Sequence, residues 1–200
     1  MRDLDIRGAG NLLGDEQSGH VAAVGFELYC QMIDEATESL ESEDGDRPAT
    51  EPLRFDVPVD AYLPADYVPF EAAKIDLHRR IAASREPGEL REIRDELDDR
   101  FGPPPAEAAN LLELQRARIE LAAVGASRVE FRGGRLSIAD VELDSEQVDV
   151  LREQVEGVIY EWRDRVVALR VPDQPEARLG AVVALGKALG EAKRAVPAAA

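Results

Sequence analysis

The side chains that most often do chemistry are few and scattered in this sequence. His20 and His78 are the two histidines and Cys30 is the single cysteine. One thiol cannot close an internal disulfide, and one thiol with two distant imidazoles lacks the spacing of a transition-metal site. His78 neighbours Arg79 and Arg80 on a helical stretch and reads as a surface residue rather than a base. His20 stands at a helix start, where packing or capping is the simpler role. Two glycine patterns imitate phosphate loops and fail on spacing. Gly8-Ala9-Gly10-Asn11-Leu12-Leu13-Gly14 has no apolar strand before it, and its third glycine is one place late for a dinucleotide loop. Gly180 and Gly186-Lys187 enclose five residues where a P-loop has four, and Ala188 stands where magnesium needs a hydroxyl. Acids are abundant, but abundance is not a paired-carboxylate site, and most belong to a solvated face. The chain therefore reads as no enzyme by itself, with no cofactor or metal of its own.

One place carries more information. Residues 3–20, DLDIRGAGNLLGDEQSGH, hold three glycines in seven positions together with Arg7 and Gln17. Glycines permit tight turns, Arg7 offers a planar fork for a carboxylate, carbonyl or phosphate, and Gln17 an amide of both polarities. On residue physics alone this is either a mechanical coupler sensing a neighbouring element or a plain loop.

The elements that must position these residues are set by composition and periodicity. Two hundred residues hold 41 Asp and Glu against 24 Lys and Arg, a formal charge of −17, and 44% hydrophobic residues. That is a globular composition long enough for a real core. Its acidity speaks against a basic nucleic-acid module and against a polybasic membrane anchor. No apolar run reaches the roughly 18 residues of a membrane span, and the first residues lack a signal-peptide stretch. The cytoplasm is the expected compartment.

From Glu27 to Asp46 there are eight acids and no base, and residues 41–52 add Gly, Pro, Ser and Thr without apolar periodicity. Residues 41–51 read as a solvated linker. Before it, Val21, Val24, Leu28 and Met32 mark one long amphipathic helix over about 19–39. After it, Leu53, Phe55, Val57 and Val59 alternate as a strand whose prolines keep it at an edge. Helices are predicted over 68–84, 87–100 and 105–124, with Gly102 and Pro103-Pro104-Pro105 as stop and start. A hairpin turning on Gly133-Gly134 comes next, then a helix at 145–156 opened by an Asp144/Gln147 capping box. Strands at 158–162 and 166–171 and a last helix at 175–193 complete the chain. Helices interleaved with hairpins, without βαβα alternation, predict an α+β domain preceded by a helical arm.

MRDLDIRGAGNLLGDEQSGHVAAVGFELY resembles the motif that follows the second RecA-like motor domain of bacterial transcription-repair coupling factors, the Mfd family, a motif shared with RecG-type translocases. VDAYLPADYVPFEAAKIDLHRRIAAS and ELREIRDELDDRFGPPPAEAANLLEL resemble the C-terminal domain of those coupling factors, which RecG-type proteins lack. The resemblance implies a division into the end of a motor domain (1–40), a linker (41–51) and a C-terminal regulatory domain (52–195). It implies a parent that uses ATP and magnesium to move along double-stranded DNA, displaces stalled RNA polymerase and recruits UvrA. By position, Arg7 and Gln17 match the residues that couple hydrolysis to movement. Glu96 and Asp99 match acids that meet arginines of a UvrB-like N-terminal module, masking the UvrA-recruiting surface; three apart, they share one face of a helix whose other face Leu90, Ile93 and Leu97 fill. A free-standing acidic adaptor without a motor is the second reading.

Overall fold

The computed structural model describes residues 53–195; the expected arm helix, the linker, Arg7 and Gln17 lie outside the described residues. In chain order the elements are β1 (Arg54–Asp56), α1 (Glu71–Ala83), α2 (Pro87–Phe101), α3 (Ala106–Ala123), β2 (Arg128–Arg132), β3 (Arg135–Ala139), α4 (Ser145–Gln154), β4 (Ile159–Glu161), β5 (Val166–Arg170) and α5 (Pro175–Ala195). The described residues are thus an α+β unit of five helices and a five-stranded mixed sheet.

The sheet order is β1-β2-β3-β5-β4. β1 runs parallel to β2, and the remaining neighbours are antiparallel. A parallel pair cannot be joined by a tight turn, and here α1, α2 and α3 make the crossover. β1 is an edge strand, as its flanking prolines require, but it is three residues long rather than seven. Pro58 brings no N–H to a ladder, so pairing stops after Asp56 while Val57 and Val59 stay buried. β2 and β3 form the expected hairpin. Gly133 and Gly134 both take positive φ, 56° and 75°, the requirement of a two-residue turn matching strand twist.

The helices keep close to their expected bounds, with one shift. α1 begins at Glu71 and not at 68, because Pro69 biases the residue before it away from helical backbone. α2 opens with Pro87 in its first turn and a reciprocal Glu86/Glu89 capping box. The Asp144/Gln147 box opens α4 as expected: Asp144 Oδ1 accepts from the Gln147 N–H at 2.8 Å, and Gln147 Oε1 from the Asp144 N–H at 3.1 Å. The stretch from Gly180 to Lys187 lies inside α5, a helix and not a phosphate loop.

One core unites helices and sheet. Leu77, Ile81, Leu97, Leu111, Leu121, Leu136, Ile138, Leu185 and Leu189 are fully buried within it. Alternation along the strands sends Phe55, Val129, Leu136, Ile138, Val167 and Tyr160 to that core. Polar ties cross between elements. Arg178 of α5 donates to the Pro58 carbonyl at 2.5 Å, pairs with Asp173 at 2.7 Å and lies over the Phe131 ring at 4.9 Å. Buried Gln115 of α3 donates to the carbonyls of Ala82 and Ser84, each at 3.4 Å. The Tyr160 hydroxyl donates to the Val141 carbonyl at 2.8 Å and accepts from the Leu143 N–H at 3.2 Å. No helix among the described residues is long and apolar enough to cross a membrane.

Candidate functional site

The two acids singled out on sequence both lie on the last turns of α2, and the fold treats them differently. α2 buries Leu90, Ile93 and Leu97 and turns its charges outward. Glu96, half-buried, is held on both sides. Arg80 of α1 brings Nη2 to 2.6 Å from one carboxylate oxygen, and Arg100, one turn on, binds the other. Arg80 also lies 3.8 Å from Asp76 one turn back on α1. The hydrogen bond from Arg80, seconded by that from Arg100, holds the Glu96 carboxyl below the usual carboxylate range. The same bond raises Arg80 above the ordinary guanidinium value. Asp99 is exposed and enters no ion pair with a described residue. Of the two, then, Glu96 is already engaged within the domain and Asp99 is open to a partner.

The residues just after Asp99 set its direction. Gly102 ends α2 with φ 84°, and its N–H donates to the Asp98 carbonyl at 2.9 Å. The Tyr67 hydroxyl reaches the Gly102 carbonyl at 2.7 Å, an acceptor that the helix end leaves without an intrahelical donor, and lies 3.2 Å from the Leu97 carbonyl. Burial, and then the charge of Asp98, raises the Tyr67 phenol above its ordinary value, so it stays a donor at any physiological pH. The Tyr67 ring meets Phe101 edge-on with centroids 5.9 Å apart, and the Arg100 guanidinium lies 5.0 Å from the Phe101 ring centroid. The end of α2 is thereby a braced acidic corner.

The three residues that brace this corner differ in how far the sequence announces them. Arg100 has a usable signal, its i, i+4 spacing from Glu96. Arg80 and Tyr67 have none, because each reaches α2 from a separate segment. His78, expected at the surface, is half-buried instead; burial, with Lys74 nearby, lowers it to about 4 and keeps the imidazole neutral. Among the described residues no three His, Cys, Asp or Glu side chains converge as metal ligands would.

Residues 57–150 match the TRCF domain family. The chain carries a TRCF domain. It is 36% identical over 149 residues to a transcription-repair-coupling factor of Staphylococcus haemolyticus, covering 74% of this chain and 13% of that protein. It is 39% identical over 187 residues to one of Mycobacterium bovis, covering 86% of this chain and 15% of that protein. A solved C-terminal domain of a transcription-repair coupling factor superposes with a TM-score of 0.63 at 22% identity, over 72% of this chain and 96% of that one, which shows a shared fold. The chain spans about a seventh of its curated relatives, and the braced corner of α2 falls inside the matched TRCF region.

Proposed function

We propose that this chain is the C-terminal part of a transcription-repair coupling factor and that its TRCF domain is a reversible regulatory lock. The observation that supports the reading is Asp99, an exposed acid without an ion-pair partner among the described residues, on a braced helix end inside the TRCF region. In this reading Asp99 meets an arginine of the UvrB-like module of the same protein, and Glu96 holds its helix in place through Arg80 and Arg100 while presenting its remaining surface beside it. The lock masks the surface that recruits UvrA until the motor engages. Exposed charge pairs suit this role, being worth ~1 kcal/mol or less each and screened by salt.

The rest of the proposal concerns the parent. It is a cytoplasmic, ATP- and magnesium-dependent translocase on double-stranded DNA that displaces RNA polymerase, with Arg7 and Gln17 coupling hydrolysis to movement. The chain by itself does not turn over ATP.

Titration of the chain with the isolated UvrB-like module tests the lock. Asp99→Arg is expected to weaken binding at low salt at least tenfold, and Glu96→Arg/Asp99→Arg to abolish it. The single change is the cleaner probe, because an arginine at 96 would face Arg80 and Arg100 and loosen the helix end. Unchanged affinity of Asp99→Arg at low salt overturns the lock.

A further inference from the structure

The sheet has a second face, which the core does not cover. Strand alternation and register place Arg54 and Asp56 of β1, Arg128, Glu130 and Arg132 of β2, Arg135 of β3, Arg170 of β5, and Ile159 and Glu161 of β4 on it. Its five arginines against three acids make it a basic surface on a chain whose formal charge is −17.

The arginines are also aligned. Arg54 opposes Arg128 at one end of the strands, and at the other Arg132 opposes Arg135, which opposes Arg170. Like charges directly opposite across strands destabilise a sheet, so folding alone disfavours two such ladders. Neighbouring acids relieve only part of this. Glu130 pairs with Arg132 and Glu161 with Arg135, yet the Arg132 side chain remains 77% exposed. Arg54, Arg128 and Arg170 are exposed and enter no ion pair with a described residue. Arg128 and Arg132 are four positions apart on β2, so the ladders stand ~13 Å apart.

We propose that this face is the docking site of the chain's own acidic segment, residues 41–46, whose carboxylates engage the arginine ladders. Glu41, Glu43, Asp44 and Asp46 are four acids in six residues without a base. The segment joins the domain just before Arg54, at the Arg54–Arg128 end of the sheet. Asp46 is eight residues from Arg54, a span of at most ~27 Å when extended, so the segment reaches both ladders. A tether this short gives a millimolar effective concentration, which lets individually weak carboxylate–guanidinium pairs close without an external partner. The same face is then uncovered by salt or by any competitor for those arginines. This tether contact is independent of the α2 lock, since it uses a different face and different charges.

A nitroxide on Ser42→Cys in a Cys30→Ser background of the full 200-residue chain reads the contact by amide line broadening. Broadening is expected at residues 128–139 and 166–170, at least threefold above that of a chain also carrying Glu41→Gln, Glu43→Gln, Asp44→Asn and Asp46→Asn, which reports the tether alone. It is expected to fall to that reference in 1 M salt, where charges are screened beyond ~3 Å, and in Arg132→Ser/Arg135→Ser/Arg170→Ser. Broadening that is indifferent to the four acids, or centred on another face, overturns the proposal. So does broadening of an isotope-labelled chain by a separate spin-labelled one, which would assign the contact to a second copy. The triple variant changes only exposed sheet positions, and its amide spectrum verifies folding independently.

Discussion

Arg80 of α1 lies 2.6 Å from the carboxylate of Glu96 on α2, an ion pair that ties those two helices at their solvent side. Arg80 is 41% exposed and Glu96 27%, so the pair is worth much less than a buried one. Arg80→Ala is expected to cost under ~1 kcal/mol in chemical denaturation, and a double-mutant cycle with Glu96→Gln to give a coupling of similar size. The more sensitive readout is the titration of Glu96 itself. Its carboxyl, held low first by Arg80, should rise toward the ordinary value in Arg80→Ala and stay low in Asp99→Ala. An unmoved Glu96 titration in Arg80→Ala would refute the clamp.

Tyr67 makes a second prediction at the same corner. Tyr67→Phe keeps the ring against Phe101 and removes only the hydroxyl that serves the Gly102 and Leu97 carbonyls. A loss of ~1 kcal/mol is expected, with faster hydrogen exchange confined to the last turn of α2. Exchange rising equally across all five helices would mean that the hydroxyl supports the fold at large and not the acidic corner.

Two glycines should respond to alanine with opposite signs. Gly102 has φ +84° and ψ −177°, a backbone region all but reserved for glycine, and nothing lies within 4 Å of a Cβ placed there, so the cost of Gly102→Ala is backbone strain alone, ~1–3 kcal/mol. Gly180 lies inside α5 with equally open space and helical backbone, so Gly180→Ala should stabilise by ~0.5–1 kcal/mol. Thermal melts of the two variants decide this, and a destabilised Gly180→Ala would mean that the space beside α5 is used by part of the chain beyond the described residues.

Local chemistry explains which parts of this fold could be read in advance. The Gly133-Gly134 turn, the Asp144/Gln147 box, the Pro87 start and the Gly102 stop are each written in neighbouring residues, and each stands where sequence places it. The pairing of β1 with β2 was not legible, because 71 residues and three helices separate Asp56 from Arg128. Register is likewise non-local. It converts scattered arginines at 54, 128, 132, 135 and 170 into two ladders, a pattern no window of the sequence contains. At the candidate site the acids could be found from the resemblance, and their spacing puts them on one helix face, but their difference could not be read. The approach of α1 adds Arg80 to Arg100 at Glu96, while Asp99 is left open.

His78 supplies the last prediction, a pH dependence with a defined sign. Burial, aided by the charge of Lys74, lowers its imidazole to about 4 from an ordinary value near 6.5. The folded chain therefore keeps His78 neutral where the unfolded chain binds a proton. Its contribution is full above about 6.5, is lost as pH falls from there toward about 4, and changes no further below that. Each proton taken up on unfolding gives a slope of at most ~1.4 kcal/mol per pH unit. Between pH 6.5 and 5 the depressed Glu96 stays ionised, so the Arg80–Glu96 clamp does not confound the contribution of His78 in that window. Denaturation midpoints should fall across it in the native sequence, and less steeply in His78→Gln. A slope that persists unchanged in His78→Gln would show that the imidazole is as accessible to protons in the folded domain as in the unfolded chain.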